Sequence, residues 1–181
     1  MSIWGDQDVA DIPDNPFHVT PNWYLAVSSE CYEKVLDEAQ GISQLIIKWK
    51  IRKPGSEFDG LPVTDRKTFY KPPAGVDPRE WANNLDGDQK RANSFLKMLL
   101  RQGFDLSPEG INSFEPRMGL NREAMIEITN NPDKSNPDIL YNNVRTVLSK
   151  RLYEEKNGLG TANAGVNSES GYNSSSMLDE M

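Results

Sequence analysis

The sequence predicts a mostly β protein, a small five-stranded antiparallel barrel with one α-helix between strands 3 and 4 and a disordered C-terminal tail. Three observations support this prediction. Five stretches alternate apolar and polar residues, which is typical of strands buried on one face. One stretch between the third and fourth of them repeats apolar residues at helical spacing. After residue 157 the chain becomes rich in Gly, Asn and Ser.

The first three strands lie in the N-terminal half of the chain. They are NWYLAVSSE (22–30), SQLIIKWKIRK (43–53) and LPVTDRKTFYK (61–71). We interpret residues 31–42 as a connector, with at most one helical turn that ends at Gly41. The second strand alternates most clearly. Its Trp49 alternates with cationic residues, so we expect that indole in the core, together with the indole of Trp23 on the first strand.

The helix is predicted over DQKRANSFLKMLLRQG (88–103), after a Pro- and Gly-containing segment. An Asp stands near its start, and Gly103 lies where a C-terminal cap belongs. Its apolar residues recur at intervals of three and four and are Ala92, Phe95, Leu96 and Leu99. This spacing places them on one face of the helix.

The last two strands are LNREAMIEITN (120–130) and YNNVRTVLSKRL (141–152), and the second of these is also compatible with a helix. The order is therefore β-β-β-α-β-β. Because no regular βαβ alternation is present, this order favours a partly open antiparallel barrel of the OB type, in which the helix closes one end. The domain plan is an irregular lead-in (1–21), an OB-like domain (22–153) and a tail (154–181).

Charge is distributed unevenly along the chain. The formal net charge is −7, yet residues 41–71 carry seven cations against three carboxylates and sum to +4. A ligand in contact with this segment responds to the local field, because salt screens charges beyond a Debye length of about 8–10 Å. The acidic total therefore does not exclude a negatively charged partner.

Few residues suggest catalysis or metal binding. His18 is the only histidine and Cys31 the only cysteine, and no metalloprotease, nucleophile-elbow, Walker or CxxC motif occurs. The acids of DGDQKR and the pair Asp133 and Asp138 lie in loops, where Asp usually forms turns. We therefore expect a protein that is not an enzyme and that needs no metal or cofactor.

The basic segment is the strongest functional candidate. Cations that alternate with apolar residues are ordinary on a solvated sheet face, which is the alternative reading. Cations mixed with aromatic residues also suit single-stranded nucleic acid, because phosphates attract cations and unstacked bases lie on flat rings. In OB-folds the face of strands 2 and 3 takes the strand, flanked by loops that here correspond to 31–42 and 130–140. The predicted nucleic-acid-binding residues are Lys48, Lys50, Arg52, Lys53, Arg66, Lys67, Tyr70 and Lys71.

Arg122, Lys134 and Arg145 are further candidates for phosphate contacts, although each alone is typical of an ordinary surface charge. The tail ends in a short acidic and apolar tip, which we predict to bind partner proteins or to compete for the basic groove. A frayed end without function is the alternative for this tip. Its residues are Met177, Leu178, Asp179, Glu180 and Met181.

Taken together, the segments NWYLAVSSE, LIIKWKIR, FDGLPVTDR, NSFLKMLLRQGFDL, MGLNREAMIEI and YNNVRTV resemble phage-encoded single-stranded-DNA-binding proteins of replication and recombination modules. The resemblance covers roughly residues 20–152 and the general character of the tail. It implies an OB-fold that binds single strands without sequence preference and a tail that recruits replication or recombination proteins. The ending MLDEM departs from the more acidic tips of that family, which leaves the partner of the tail open.

These observations predict a non-enzymatic, sequence-independent single-stranded-DNA-binding protein. An OB-like adaptor that binds other proteins and has no affinity for nucleic acid is the alternative. No residue pattern separates DNA from RNA, because nothing in the sequence indicates a contact to a 2′-hydroxyl group. A cytoplasmic location is expected, since the N-terminus lacks a signal-peptide pattern and no apolar run is long enough to span a membrane.

Overall fold

The computed structural model describes residues 18–159. A single five-stranded antiparallel sheet dominates it, with the strand order β3-β2-β1-β4-β5. The strands are β1 (Asn22–Asp37), β2 (Ile42–Ile51), β3 (Pro62–Tyr70), β4 (Glu123–Pro132) and β5 (Leu140–Leu148). The edge strands β3 and β5 are not hydrogen-bonded to each other, so the sheet is not closed. The expectation of a mostly β fold with five antiparallel strands is confirmed.

Strand β1 is longer than the sequence pattern indicated. It continues to Asp37 through the segment that we interpreted as a connector, so the helical turn expected there is wrong. The turn into β2 contains Gly41, whose φ of 65° favours glycine. A Cβ at Gly41 would overlap the carbonyl oxygen of Lys71, and the Gly41 carbonyl accepts a hydrogen bond from the Lys71 N–H. Glycine thus lets the end of β3 approach the turn.

A β-bulge divides β1 into two parts. Ser28 pairs with Trp49 and Glu30 pairs with Lys48, so Ser29 is the extra residue. Before the bulge, residues 22–27 pair with β4, and Ala26 and Val27 also pair with β2, whereas the residues after the bulge pair with β2 alone. The Ser28 side chain is completely buried. Its hydroxyl donates to the Gly119 carbonyl and accepts from the Arg122 N–H at 2.8 Å.

The core lies on the inner face of the sheet. Its side chains come from β2, including Trp49, from alternating residues of β4, and from residues 99–104. Trp49 is fully buried, as expected, and its ring centroid lies 6.1 Å from that of Phe104. The expectation for Trp23 is wrong. Tyr24 points inward and is 4% exposed, so the adjacent Trp23 lies on the outer face, 5.2 Å from the ring of Tyr153.

Several helical segments replace the single helix that was expected. They are α1 (Pro78–Asn84), α2 (Gly87–Met98), a π-helical turn (Leu99–Gly103), α3 (Pro108–Asn112), a 3-10 turn (Pro116–Gly119) and α4 (Lys150–Lys156). Asp86 caps α2 in a capping box with Gln89. Leu99 and Leu100 enter the core, whereas Phe95 is 50% exposed. A helix is therefore present over most of the predicted range, but no residue of α2 is buried, and the buried side chains belong to the π-helical turn after it.

The final strand is shorter than the pattern suggested. It ends at Leu148, and the Ser149 hydroxyl caps α4 by accepting from the Leu152 N–H. Tyr153 on α4 packs on Trp23, so this helix covers the part of the outer face where β1 pairs with β4. The helix continues past residue 153, where we had placed the end of the domain. Most of the lead-in and of the tail, at 1–17 and 160–181, lies outside the described residues.

Among residues 18–159, no helix has the length and apolar character required to cross a membrane.

Candidate functional site

The outer face of β2 carries the predicted cations. Trp49 and Ile51 are fully buried, while Lys50 is exposed and Lys48 is partly exposed. The alternation expected from the sequence is therefore present, with the apolar residues inward and the two lysines outward. Arg52 follows the end of the strand and is exposed, and its N–H donates to the Leu25 carbonyl at 2.8 Å.

Strands β1 and β3 complete this face on either side of β2. Directly paired residues in antiparallel strands point to the same side of the sheet, so the register defines which side chains are neighbours. The outward rows across β1, β2 and β3 are Val27 with Lys50 and Pro62, Glu30 with Lys48 and Thr64, Tyr32 with Ile46 and Arg66, and Lys34 with Gln44 and Thr68. We call this surface the outer face of β1–β3.

Two members of the outer face were missed by sequence reasoning. Tyr32, 41% exposed, and Lys34, also exposed, lie in the segment that we interpreted as a connector. Their alternation with Cys31 and Glu33 was the available signal. Because the bulge adds one residue, the alternation after it is shifted by one position from the alternation of residues 22–28. The sequence pattern therefore did not indicate that the segment after the bulge continues the first strand.

The outer face contains one carboxylate that competes for its cations. The Lys48 ammonium lies 2.8 Å from a carboxylate oxygen of Glu30, and both side chains are substantially exposed. The hydrogen bond to Glu30 raises the pKa of Lys48. Ion pairs between exposed side chains contribute little to stability, because solvent and salt screen them, so a phosphate could replace Glu30 at little cost.

The structure does not bring Lys67 and Lys71 to the outer face. Both lie an even number of residues from Val63, which points into the core, so their side chains are on its side of the strand. The Lys67 ammonium lies 2.9 Å from Asp65, and the Lys71 ammonium is paired with Glu33.

Tyr70 and Lys53 occupy different margins of the sheet. Tyr70 has the parity of Arg66 and is partly exposed at the end of β3. The Lys53 ammonium lies 5.4 Å from the ring centroid of Tyr24, and its N–H donates to Asp59 at 2.8 Å. Lys53 is thus part of the loop that follows β2.

Asp65 is a buried carboxylate below this face. Its side chain is 3% exposed, and its Oδ2 atom has no hydrogen-bond partner among the described residues. Burial raises the pKa of Asp65, and the nearby Lys67 ammonium offsets only part of that effect. Strand alternation places Lys67 on the same side of β3 as Asp65, and the ion pair holds its ammonium beside that carboxylate.

Cys31 and His18 are the two residues considered for nucleophilic or acid–base chemistry, and both lie in contact with other parts of the fold. Cys31 is buried, and burial raises the pKa of its thiol to about 11. The thiol is therefore neutral at physiological pH. The exposed His18 ring has its Nε2 atom 2.8 Å from the side-chain amide nitrogen of Asn130. Neither residue is part of the outer face.

The loop carboxylates form turns and caps. Asp133 accepts backbone hydrogen bonds from Asn136 and Ser135, and these bonds lower the pKa of its carboxyl group. Asp86 caps α2 as described above. Within the described part of the chain, no group of three or more His, Cys, Asp or Glu side chains is positioned to hold a metal ion. The five tail residues predicted to bind partners lie outside residues 18–159.

No protein-family model matches the chain, and no curated protein matches it in sequence.

We expect Asp65→Asn to change how stability depends on pH. Because the folded-state pKa of Asp65 is raised above the unfolded value of about 3.9, protonation stabilises the folded protein. The wild type should therefore lose stability relative to Asp65→Asn as pH rises from about 4 through the folded-state pKa. Urea unfolding free energies of both proteins at pH 4, 5.5 and 7 measure this difference.

Asp88→Asn is the matched control, because Asp88 is 91% exposed on α2. It should not change the pH dependence. A stability difference that is constant with pH would show that the Lys67 ion pair balances the burial of Asp65, and one that favours the wild type increasingly as pH rises would show that the ion pair outweighs it.

Proposed function

We propose that the protein binds single-stranded DNA without sequence preference, through the outer face of β1–β3. The observation that supports this most strongly is the composition of that face. Cations from all three strands (Lys34, Lys48, Lys50 and Arg66) lie on the same face as the exposed ring of Tyr32. Proteins that bind single strands combine these two features, because cations contact phosphates while aromatic rings stack on bases.

The strand order is consistent with an OB-like barrel, which we propose as the fold type. β1 pairs with both β2 and β4, and Cα atoms of β3 and β5 approach within 8 Å of each other without pairing. A barrel that is open between strands 3 and 5 is typical of the OB type. In that fold, the outward side of strands 2 and 3 is the surface that takes oligonucleotides.

The acidity of the whole chain is compatible with this proposal. Net charge of −7 slows the long-range approach of DNA, but a bound strand lies within a Debye length of the outer face. The resemblance to phage-encoded single-stranded-DNA-binding proteins adds a role in replication or recombination. The role itself rests on that resemblance alone.

The tail provides the second part of the proposed function. Its acidic and apolar tip, Met177–Met181, would compete with DNA for the basic face or recruit replication and recombination proteins. Both roles use the same chemistry, since carboxylates imitate phosphates and the methionines and leucine provide apolar contacts.

A protein–protein adaptor is the alternative function, and a different surface favours it. Val35 and Leu36 are 54% and 47% exposed at the end of β1. Adjacent exposed apolar residues at a sheet end are a common feature of contact surfaces. Binding to protein that is insensitive to salt, with no affinity for nucleic acid, would support this alternative.

Replacing Lys34, Lys50 and Arg66 together by Ala should weaken binding to oligothymidylate and reduce its salt dependence. Each lost phosphate contact removes about 0.7 from the slope of log K against log salt, so a decrease of about 2 is expected. Fluorescence anisotropy over a series of salt concentrations measures both quantities. Lys48 is retained, because its removal would leave Glu30 unpaired on the face.

The control variant carries Arg79→Ala, Lys90→Ala and Arg91→Ala, which remove the same charge from exposed positions on α1 and α2. Its salt slope should equal that of the wild type. Equal losses in the two triple variants would mean that net charge, rather than the outer face, governs binding. Absence of binding by the wild type would refute the proposed function.

Tyr32→Ala should weaken binding to oligothymidylate by about 1–3 kcal/mol, because one base would lose its stacking surface. The salt slope should remain unchanged, since no cation is removed. Tyr32→Phe is the control and should bind like the wild type, because it retains a ring and removes only the hydroxyl group. If Tyr32→Ala binds as tightly as Tyr32→Phe, the ring does not contact a base.

A chain that ends at residue 159 should bind oligothymidylate more tightly than the full chain at low salt, if the tip competes for the outer face. The difference should diminish at high salt, because the competition is electrostatic. A full-length Asp179→Asn and Glu180→Gln variant should behave like the truncated chain. Identical affinities of all three proteins would eliminate competition and leave recruitment as the role of the tip.

A further inference from the structure

A cleft lies where the free edges of β3 and β5 converge beside α2. Its volume is about 440 Å³. The lining residues come from all three elements and from the π-helical turn after α2. They include Arg66, Phe95, Met98, Gln102, Asn143 and Arg145. The cleft borders the outer face of β1–β3, because Arg66 belongs to both surfaces.

The apolar part of the cleft exposes an aromatic ring to solvent. Phe95 is 50% exposed and Met98 is 44% exposed, although both lie on the helix that packs against β3. Leu99 and Val147, in contrast, are almost completely buried and form part of the core. The core therefore does not use the Phe95 ring fully, and the ring remains accessible from the cleft.

The polar part of the cleft is cationic. Three lining residues carry a positive charge, and none of the lining residues is a carboxylate. Lys67 is paired with Asp65. Arg145, in contrast, is 69% exposed, and its guanidinium pairs only loosely with Glu127, at 3.8 Å from a carboxylate oxygen. Arg66 and Arg145 thus provide cationic groups on opposite strands at the two sides of the cleft.

The geometry of the strand edges argues against an added peptide strand in this cleft. A strand inserted between β3 and β5 would hold them about 9.5 Å apart, at twice the usual strand spacing, but their Cα atoms already approach within 8 Å. In addition, Asn93 on α2 occupies the free edge at Tyr70. Its side chain accepts from the Tyr70 N–H at 2.7 Å and donates to the Tyr70 carbonyl at 2.9 Å.

We infer that the cleft takes a base of the single strand that crosses the outer face, with Phe95 as its stacking surface. Arg66 directs the strand from the outer face to the cleft, and Arg66 and Arg145 contact the flanking phosphates. Gln102 and Asn143 provide amide groups at the cleft wall. This inference rests on the proposed function and extends the binding path beyond strands 1–3 to the α2 side of the barrel.

The test compares full-length Phe95→Leu with the wild type on two strands. One is an oligothymidylate of about 30 nucleotides, and the other has the same backbone with abasic sites throughout. Leu retains an apolar side chain at a half-exposed position, so the fold should persist, but it removes the ring. We expect affinity for oligothymidylate to fall roughly fivefold or more, which corresponds to the loss of one stacked base.

Affinity for the abasic strand should be equal in the two proteins, and the salt slope should not change. Phe95→Trp should bind oligothymidylate at least as tightly as the wild type, because it restores a stacking surface. Unchanged affinity of Phe95→Leu for oligothymidylate would overturn the inference and leave the cleft to a protein partner. Equal losses on both strands would also overturn it, since the effect would then not depend on a base.

These outcomes are distinct from failure of the proposed function. If the wild type binds oligothymidylate and the outer-face variant weakens it while Phe95→Leu does not, the proposed function stands and this inference fails. If the wild type binds neither strand, both fail together.

Discussion

The bulge in β1 is the constraint on which the arrangement of the sheet depends. It allows one strand to pair with β4 at its start and to continue along β2 as it curves away. The buried Ser28 hydroxyl satisfies the backbone of the segment that leads into β4, through Gly119 and Arg122. An unsatisfied polar group at this depth would cost about 1–3 kcal/mol. The bulge also determines that Tyr32 faces outward, because one extra residue reverses the phase of the side chains that follow, up to a second register shift between Val35 and Asp37.

Strand register and short-range ion pairs determine where charged groups lie on the surface of this protein. Strand β3 contains three consecutive charged residues, yet they separate onto two faces. Arg66 lies on the outer face, while Asp65 and Lys67 lie on the inner side and pair with each other there. On the outer face, Glu30 partly neutralises Lys48. A cationic surface therefore exists on an acidic protein because strand register, rather than net charge, decides which ionic groups are neighbours.

The outer face and the cleft form one continuous surface around the open side of the sheet. The two edge strands approach without pairing, and α2 occupies the space beside them through the bond between Asn93 and Tyr70. Phe95 on α2 is half exposed beside these unpaired strand edges. Because Arg66 belongs to both parts, we propose that a strand bound on the outer face continues into the cleft rather than toward the Val35 end of β1.

Local periodicity determined much of the fold. The alternation of β2, the burial of Trp49, the outward position of Lys48 and Lys50, and the capped start of α2 each depend on residues close in sequence, so the sequence alone predicted them. Tertiary structure decided the second half of β1, the outward position of Trp23 beneath α4, and the burial of the Asp65 carboxylate. A bulge, a helix packed across the sheet and the burial of a charged group are set by partners distant in sequence. No local period carries that information.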